Sequence, residues 1–401
     1  MIGSGPARPP FPVTLDNWQS AGQLKWTFQH MAEIFPTVPI SRGSAHAPGL
    51  PRIAYDPDAL PVRTPDGETM SLHSVLASTD TDGWLVVHDH PSWGPQVLAE
   101  RYHDGMEPAT LHLLMSVTKS VVGLTTGALV AQGVIATEAP VTQYVPELHE
   151  SGYAGAIVRN LLDMRSGIRF SEDYLDPAAE VRVLEQSFGW APRRSPDVPT
   201  TLRGFLLSLQ QERLHGGHFD YRSCETDVLG WVIEAATGRR FADVASELVW
   251  SRIGAEFDAN IGVDAEGSAM YDGGMSASLG DLARLGLMIL RDGTSLTGEQ
   301  VVPRWWIDDS FAGGYDSVQA FADSPGDNRM PGGFYRNQFW IPDASRPVLL
   351  CLGIHGQMIY VNRRARTVAV KLSSWPTPQN AWKLFSTLAA FDAISADVSG
   401  G

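Results

Sequence analysis

The sequence predicts an α/β fold of the α+β kind: a sheet assembled from both ends of the chain and flanked by helices, with a mostly helical lobe inserted between. Two patterns predict it. Strand-length apolar runs cluster at residues 84–102 and again at 348–373, and helical periodicity dominates the stretch between them. Size agrees: 401 residues, 43% hydrophobic and 19% charged, suffice for one large core.

In chain order, residues 1–20 are rich in Pro and Gly and read as an extended arm. A helix is expected over 26–35. Residues 84–88 and 97–102 read as paired strands around a turn at 89–94. Residues 116–132 read as a helix, because Val117, Val121, Leu124 and Leu129 recur at helical spacing and Gly133 supplies a stop. Further helices are expected at 158–164, 201–210, 226–237 (closed by Gly238), 241–250 and 278–290. Strands at 348–353, 358–361 and 368–373 follow, and a helix at 382–394 ends the pattern. The boundaries are a sheet lobe of about 21–110 and 275–401, a helical lobe of about 111–274, and one catalytic domain over 21–401.

Charge narrows the function. A net charge of -15 excludes a nucleic-acid surface and adhesion to anionic membranes as main roles. Two cysteines, Cys224 and Cys351, make no disulfide framework. The first ten residues lack an apolar core and no run reaches transmembrane length, so a cytoplasmic location is expected.

The most informative residues are Ser116 and Lys119. Three residues apart at the start of an apolar helix, they share one face about a turn apart. A serine hydroxyl needs a base within reach to become a nucleophile. A lysine is a base only when neutral, so the expectation is a pKa well below the usual value of about 10.4. The only lysines are Lys25, Lys119, Lys371 and Lys383. The spacing arises by chance about 0.3 times in such a composition, and a solvated Ser and Lys on a helix surface is the competing reading. Tyr221, just before a helix, is a candidate to pass a proton to a leaving group, and a core aromatic with a satisfied hydroxyl is the competing reading. A backbone N–H in Leu352-Gly353-Ile354-His355-Gly356 is placed to complete an oxyanion hole with that of Ser116.

Other candidates fail on spacing. His88-Asp89-His90 has no third metal ligand nearby, and His215 and His218 flank two glycines in a loop. Neither a Gly-x-Ser-x-Gly elbow nor a phosphate-binding Gly-x-x-x-x-Gly-Lys loop is present.

An ordered set of strings then carries a family resemblance. Ser116-Val-Thr-Lys119, Leu161-Leu-Asp-Met-Arg-Ser-Gly167, Tyr221-Arg-Ser223, Asp272-Gly-Gly-Met-Ser276 and Asp281-Leu-Ala-Arg-Leu-Gly286 resemble the serine β-lactamase and penicillin-recognising superfamily, in its class C and esterase branch. Within that branch the similarity is closer still to the nylon-oligomer hydrolases. His112-Leu-Leu-Met-Ser-Val-Thr-Lys119, Glu172-Asp-Tyr-Leu-Asp-Pro177, Gly353-Ile-His-Gly-Gln357 and Val370-Lys-Leu-Ser-Ser-Trp-Pro376 carry it.

The resemblance implies a β-lactamase-like fold with an antiparallel sheet. It implies Ser116 as nucleophile, Lys119 as base, Tyr221 as proton shuttle, and the N–H groups of Ser116 and Ile354 as the oxyanion hole. It also implies Tyr174, Glu185, Trp190, Asp272 and Trp340 as substrate contacts, no metal or organic cofactor, a small-molecule amide or ester substrate, and a homodimer. Two departures lie near the substrate: Asp272 replaces an Asn, and Glu185 is one methylene longer than the matching Asp. A third removes a cation, because Cys351-Leu352-Gly353 stands where true β-lactamases have Lys-Thr-Gly. The expected function is hydrolysis of linear amides such as a 6-aminohexanoate dimer, with carboxylesterase activity. A plain carboxylesterase and a catalytically silent binding protein are the alternatives.

Overall fold

The computed structural model describes residues 10–324 and 330–399. The part of the expected arm before residue 10 lies outside them. Seven antiparallel strands form the main sheet, in the order Gly94–Tyr102, Thr81–His90, Thr367–Ser373, Gln357–Asn362, Val348–Gly353, Phe339–Ile341 and Phe334–Arg336. The register Lys371↔Trp84 joins the early hairpin to the late strands, so the sheet is built from both ends of the chain as expected. The helix Leu279–Leu290 packs on the sheet, and Gly286 lets it come so close that a Cβ there would meet Val368 at 2.4 Å. The helix Ala381–Ser399 also packs against the sheet, on the strand Gln357–Asn362. Between the two groups of strands lie the helices Val117–Ala131, Val158–Leu162, Glu180–Phe188, Leu202–Ser208 and Ser223–Thr237.

The helix expected over 26–35 is two short ones, Leu24–Thr27 and Met31–Ile34. The Phe28 carbonyl accepts the Leu113 N–H at 2.8 Å, which takes it out of the helical ladder. The helix expected over 241–250 is an α-turn, Phe241–Ala245, followed by a π-helical turn, Ser246–Trp250. A second sheet was not expected. It pairs Thr37–Ile40, Ala259–Gly262, Met275–Ala277 and His112–Leu113, strands of two to four residues too short to leave a periodic signal. This small sheet positions the site: the Leu114 N–H donates to the Met275 carbonyl at 2.8 Å and holds the turn that precedes Ser116.

His88-Asp89-His90 ends the strand Thr81–His90, where buried Asp89 pairs with Arg366 and Arg291. Cys224 and Cys351 are free and buried.

Candidate active site

Ser116 caps the N-terminus of the apolar helix Val117–Ala131. Met115 before it has φ of +48°, an uncommon conformation for a residue with a Cβ, which turns the chain sharply into the helix. The Lys119 Nζ lies inside, 3.1 Å from the Ser116 Oγ, 3.0 Å from the Ser223 Oγ and 2.8 Å from the main-chain oxygen of Asp272. An ammonium has three N–H donors, and these three acceptors use all of them. The same nitrogen sits 5.3 Å from the centre of the Tyr221 ring. Tyr221 stacks on Trp340, with ring centroids 5.2 Å apart.

The strand Val348–Gly353 brings Ile354 alongside. A Cβ on Gly353 would lie 2.5 Å from the Leu114 carbonyl oxygen, so only glycine permits this approach to the turn that precedes Ser116. His355, next in the chain, has φ of +60°. The turn and cap hydrogen bonds here run from Val117 to Leu114, Thr118 to Met115 and His355 to Pro378, and none uses the N–H of Ser116 or Ile354. These two N–H groups, without a hydrogen-bond partner among the described residues, belong to residues of one cavity wall, and that of Ser116 is at a helix N-terminus where the dipole favours an anion.

Glu172 was not singled out from the sequence. Its Oε1 accepts the Ser223 hydroxyl at 2.6 Å and the Tyr174 hydroxyl, and its Oε2 accepts the Ser223 N–H at 2.9 Å. A chain of contacts therefore runs from Tyr174 through Glu172 and Ser223 to Lys119. Its only local trace was the position of Glu172 two residues before Tyr174.

The charge state of Lys119 differs from the expectation of a depressed pKa. Burial pushes it down, but Tyr221, Asp272, Glu172 and Asp227 outweigh burial and raise it above its ordinary value. Burial also raises Tyr221, against the opposing effect of Lys119. Lys119, in ion-pair contact with Asp272, is thereby held toward its protonated form.

Ser116, Glu172, Tyr174, Tyr221, Trp340 and Ile354 line one cavity of about 660 Å³. Glu185, Trp190 and Asp272 are outside its lining. Trp190 is 3% exposed and packs against Trp18, Phe35 and Phe188. Glu185 receives two hydrogen bonds from Arg182, at 2.9 and 2.7 Å, and Arg182 also donates to the Tyr174 carbonyl. The Asp272 carboxylate lies 3.5 Å from the Lys119 Nζ. Among the described residues no group of three His, Cys, Asp or Glu could hold a metal ion, and no helix is long and apolar enough to cross a membrane.

A hydroxyl hydrogen-bonded to an amine, on one cavity wall with a phenol, has the parts of an acyl-transfer centre. Comparison with known proteins points the same way. The family model described as Beta-lactamase matches residues 86–387. The chain is 40% identical over 380 residues to the 6-aminohexanoate-dimer hydrolase of Paenarthrobacter ureafaciens, covering 94% of this chain and 93% of that one. It is 33% identical over 153 residues to Esterase EstB of Burkholderia gladioli, 37% of this chain and 38% of that one. A solved structure from Bacillus anthracis that carries the same dimer-hydrolase name superposes with a TM-score of 0.87 at 26% identity, over 99% of each chain.

Proposed function

We propose that this chain, which belongs to the beta-lactamase family, is a serine hydrolase that cleaves linear amides such as 6-aminohexanoate dimer, and short carboxylic esters, through an acyl-enzyme on Ser116. The observation that carries the reading is the Ser116 hydroxyl, hydrogen-bonded to Lys119, whose ammonium nitrogen also lies against the Tyr221 ring, with Ser116 and Tyr221 on the wall of one large cavity. After the centre loses one proton, Lys119 takes the hydrogen of Ser116 and the Oγ attacks the scissile carbonyl. The N–H groups of Ser116 and Ile354 receive the oxyanion, each donor contributing roughly 3 kcal/mol. Tyr221 passes the proton to the leaving amine or alcohol, and water then hydrolyses the ester on Ser116.

Charge on the cavity wall supports an amine-bearing substrate. Glu172, Asp173 and Asp220 line it, and no Lys or Arg does among the described residues. Glu172 is committed to Ser223 and Tyr174, and Asp220 to Arg222. Asp173 has no ion-pair partner among the described residues, and its carboxylate accepts only the Leu175 N–H. Asp173 is therefore our candidate for a substrate ammonium, in place of Glu185. The same wall offers nothing cationic to a β-lactam carboxylate.

A plain carboxylesterase is the second reading. It is favoured by the Arg182–Glu185 pair, which neutralises the carboxylate that the family resemblance assigns to the amine. Hydrolysis of p-nitrophenyl butyrate and of linear 6-aminohexanoate dimer, with wild type and Ser116→Ala, tests the proposal. Loss of both activities in the variant, with a stoichiometric phosphonate adduct at Ser116 of the wild type, is the expected result. Labelling at another serine overturns the proposal, and ester turnover with no dimer cleavage leaves the second reading.

A further inference from the structure

Two buried acids beside Lys119 have no part in the acyl-transfer steps above. Asp227 lies in the helix Ser223–Thr237, 0% exposed, and its Oδ1 accepts the main-chain N–H of Asp272 at 3.1 Å. Its Oδ2 and the Oδ1 of Asp272 are both buried without a hydrogen-bond partner among the described residues. Asp272 Oδ2 sits 3.5 Å from the Lys119 Nζ, whose three hydrogens are already committed. Two carboxylates this near to each other inside a protein cannot both stay ionised at low cost, and a proton on one of them lowers that cost.

We propose that Asp272 is a positioning residue that keeps one extra proton on the Ser116–Lys119–Tyr221 centre, while Asp227 stands behind it as a neutral carboxylic acid. The inference rests on the acyl-transfer reading above. Asp227 takes the proton because it is the more deeply buried of the two, and burial followed by the nearby Asp272 drives its pKa well up. Of the two carboxylates, it is that of Asp272 that stands in ion-pair contact with the ammonium.

The groups facing Lys119 are Tyr221, Asp272, Glu172 and Asp227. Those facing Asp227 are Asp272, Lys119 and Glu172, and Asp272 also acts on Glu185, Tyr174 and Tyr221. Lys119 is the cation in this set. Of the carboxylates, Glu172 is held away from Lys119 Nζ by Ser223, which stands between them. Asp272 is left as the carboxylate in ion-pair contact with that nitrogen. The sign follows: a carboxylate favours the protonated centre, the centre reacts only after losing that proton, and the acid limb of the rate profile is displaced to higher pH. The argument holds whether Lys119 or Tyr221 gives up the proton.

The test is the pH profile of kcat/KM for p-nitrophenyl butyrate, run beside the pH dependence of Ser116 labelling by a fluorophosphonate, for wild type, Asp272→Asn and Asp227→Asn. Asn at 272 keeps the main-chain carbonyl that accepts from Lys119. The Asp272→Asn midpoint should fall by about one pH unit or more, which is about a tenfold gain in labelling rate on the acid side of the limb. Asp227→Asn should move the midpoint by clearly less, since only Asp272 is in ion-pair contact with Lys119 among the described residues. Asp272→Ser carries the same expectation if the Asn variant does not fold. An unmoved or raised midpoint for Asp272→Asn overturns the inference, as does an equal shift in Asp227→Asn. Failure of the wild type to be labelled at Ser116 would instead remove the acyl-transfer reading itself.

Discussion

Gly353→Ala tests the proposed oxyanion hole. Gly353 has φ of -130° and ψ of 146°, which any residue adopts, so the substitution introduces no backbone strain of its own. What it introduces is a methyl group 2.5 Å from the Leu114 carbonyl oxygen and 3.1 Å from the Gln357 Cβ. A C···O contact relaxes at about 3.3 Å, so the strand end must retreat by roughly 0.8 Å from the turn that carries Ser116. Ile354 moves with it, and its N–H leaves the place where the oxyanion forms. A displacement near 1 Å costs about 100-fold in rate, and loss of one oxyanion donor about 100- to 1,000-fold. The Ser116–Lys119–Tyr221 contacts lie on other elements and stay. Steady-state hydrolysis of p-nitrophenyl butyrate should therefore show kcat lower by about 100-fold with KM changed little. Fluorophosphonate should still label Ser116, more slowly. A kcat within threefold of wild type, in a folded variant, would refute the claim that this glycine sets the donor's position.

Lys119→Arg should be inactive on esters and amides, because a guanidinium holds its proton at any accessible pH, and near-wild-type turnover would remove the base from the mechanism. Glu172→Gln should lower the melting temperature by an amount corresponding to about 1–3 kcal/mol, since a buried acceptor of the Ser223 N–H and hydroxyl becomes an amide; unchanged stability would contradict the link from Tyr174 to Lys119. Nitrocefin should turn over far more slowly than the best ester, as Cys351 supplies no cation and is buried, and comparable rates would contradict the charge reading of the cavity. His355, 2% exposed, is held down to about 4 by burial. The unfolded chain takes up this proton near 6.5 and the folded chain only near 4, so stability is full above pH 6.5 and falls by roughly 1.4 kcal/mol per unit as pH drops through that window. His355→Asn, which tolerates the positive φ, should flatten that slope in denaturant titrations, and an unaltered slope would assign the acid loss to other groups.

The sequence by itself determined what depends on near neighbours and on period. Ser116 and Lys119 meet because three residues on an apolar helix span one turn, and a helix written as Val117, Val121, Leu124 and Leu129 has little choice of face. The strand runs at both ends of the chain had to pair with each other, since neither group covers its own apolar faces. Only the tertiary structure decided the contacts made across long separations. Lys119 meets Asp272 across 153 residues and Glu172 meets Ser223 across 51, and no local pattern encodes either distance. That is why the sequence led to a depressed pKa for Lys119: burial was foreseeable, but the carboxylates that reverse its sign were not. It is also why Trp190 and Glu185 lie outside the cavity. An aromatic ring and an acid carry no record of whether Trp18 or Arg182 will reach them before a substrate does. Local propensity brought Ser116 and Lys119 together, and long-range packing set the charge of Lys119.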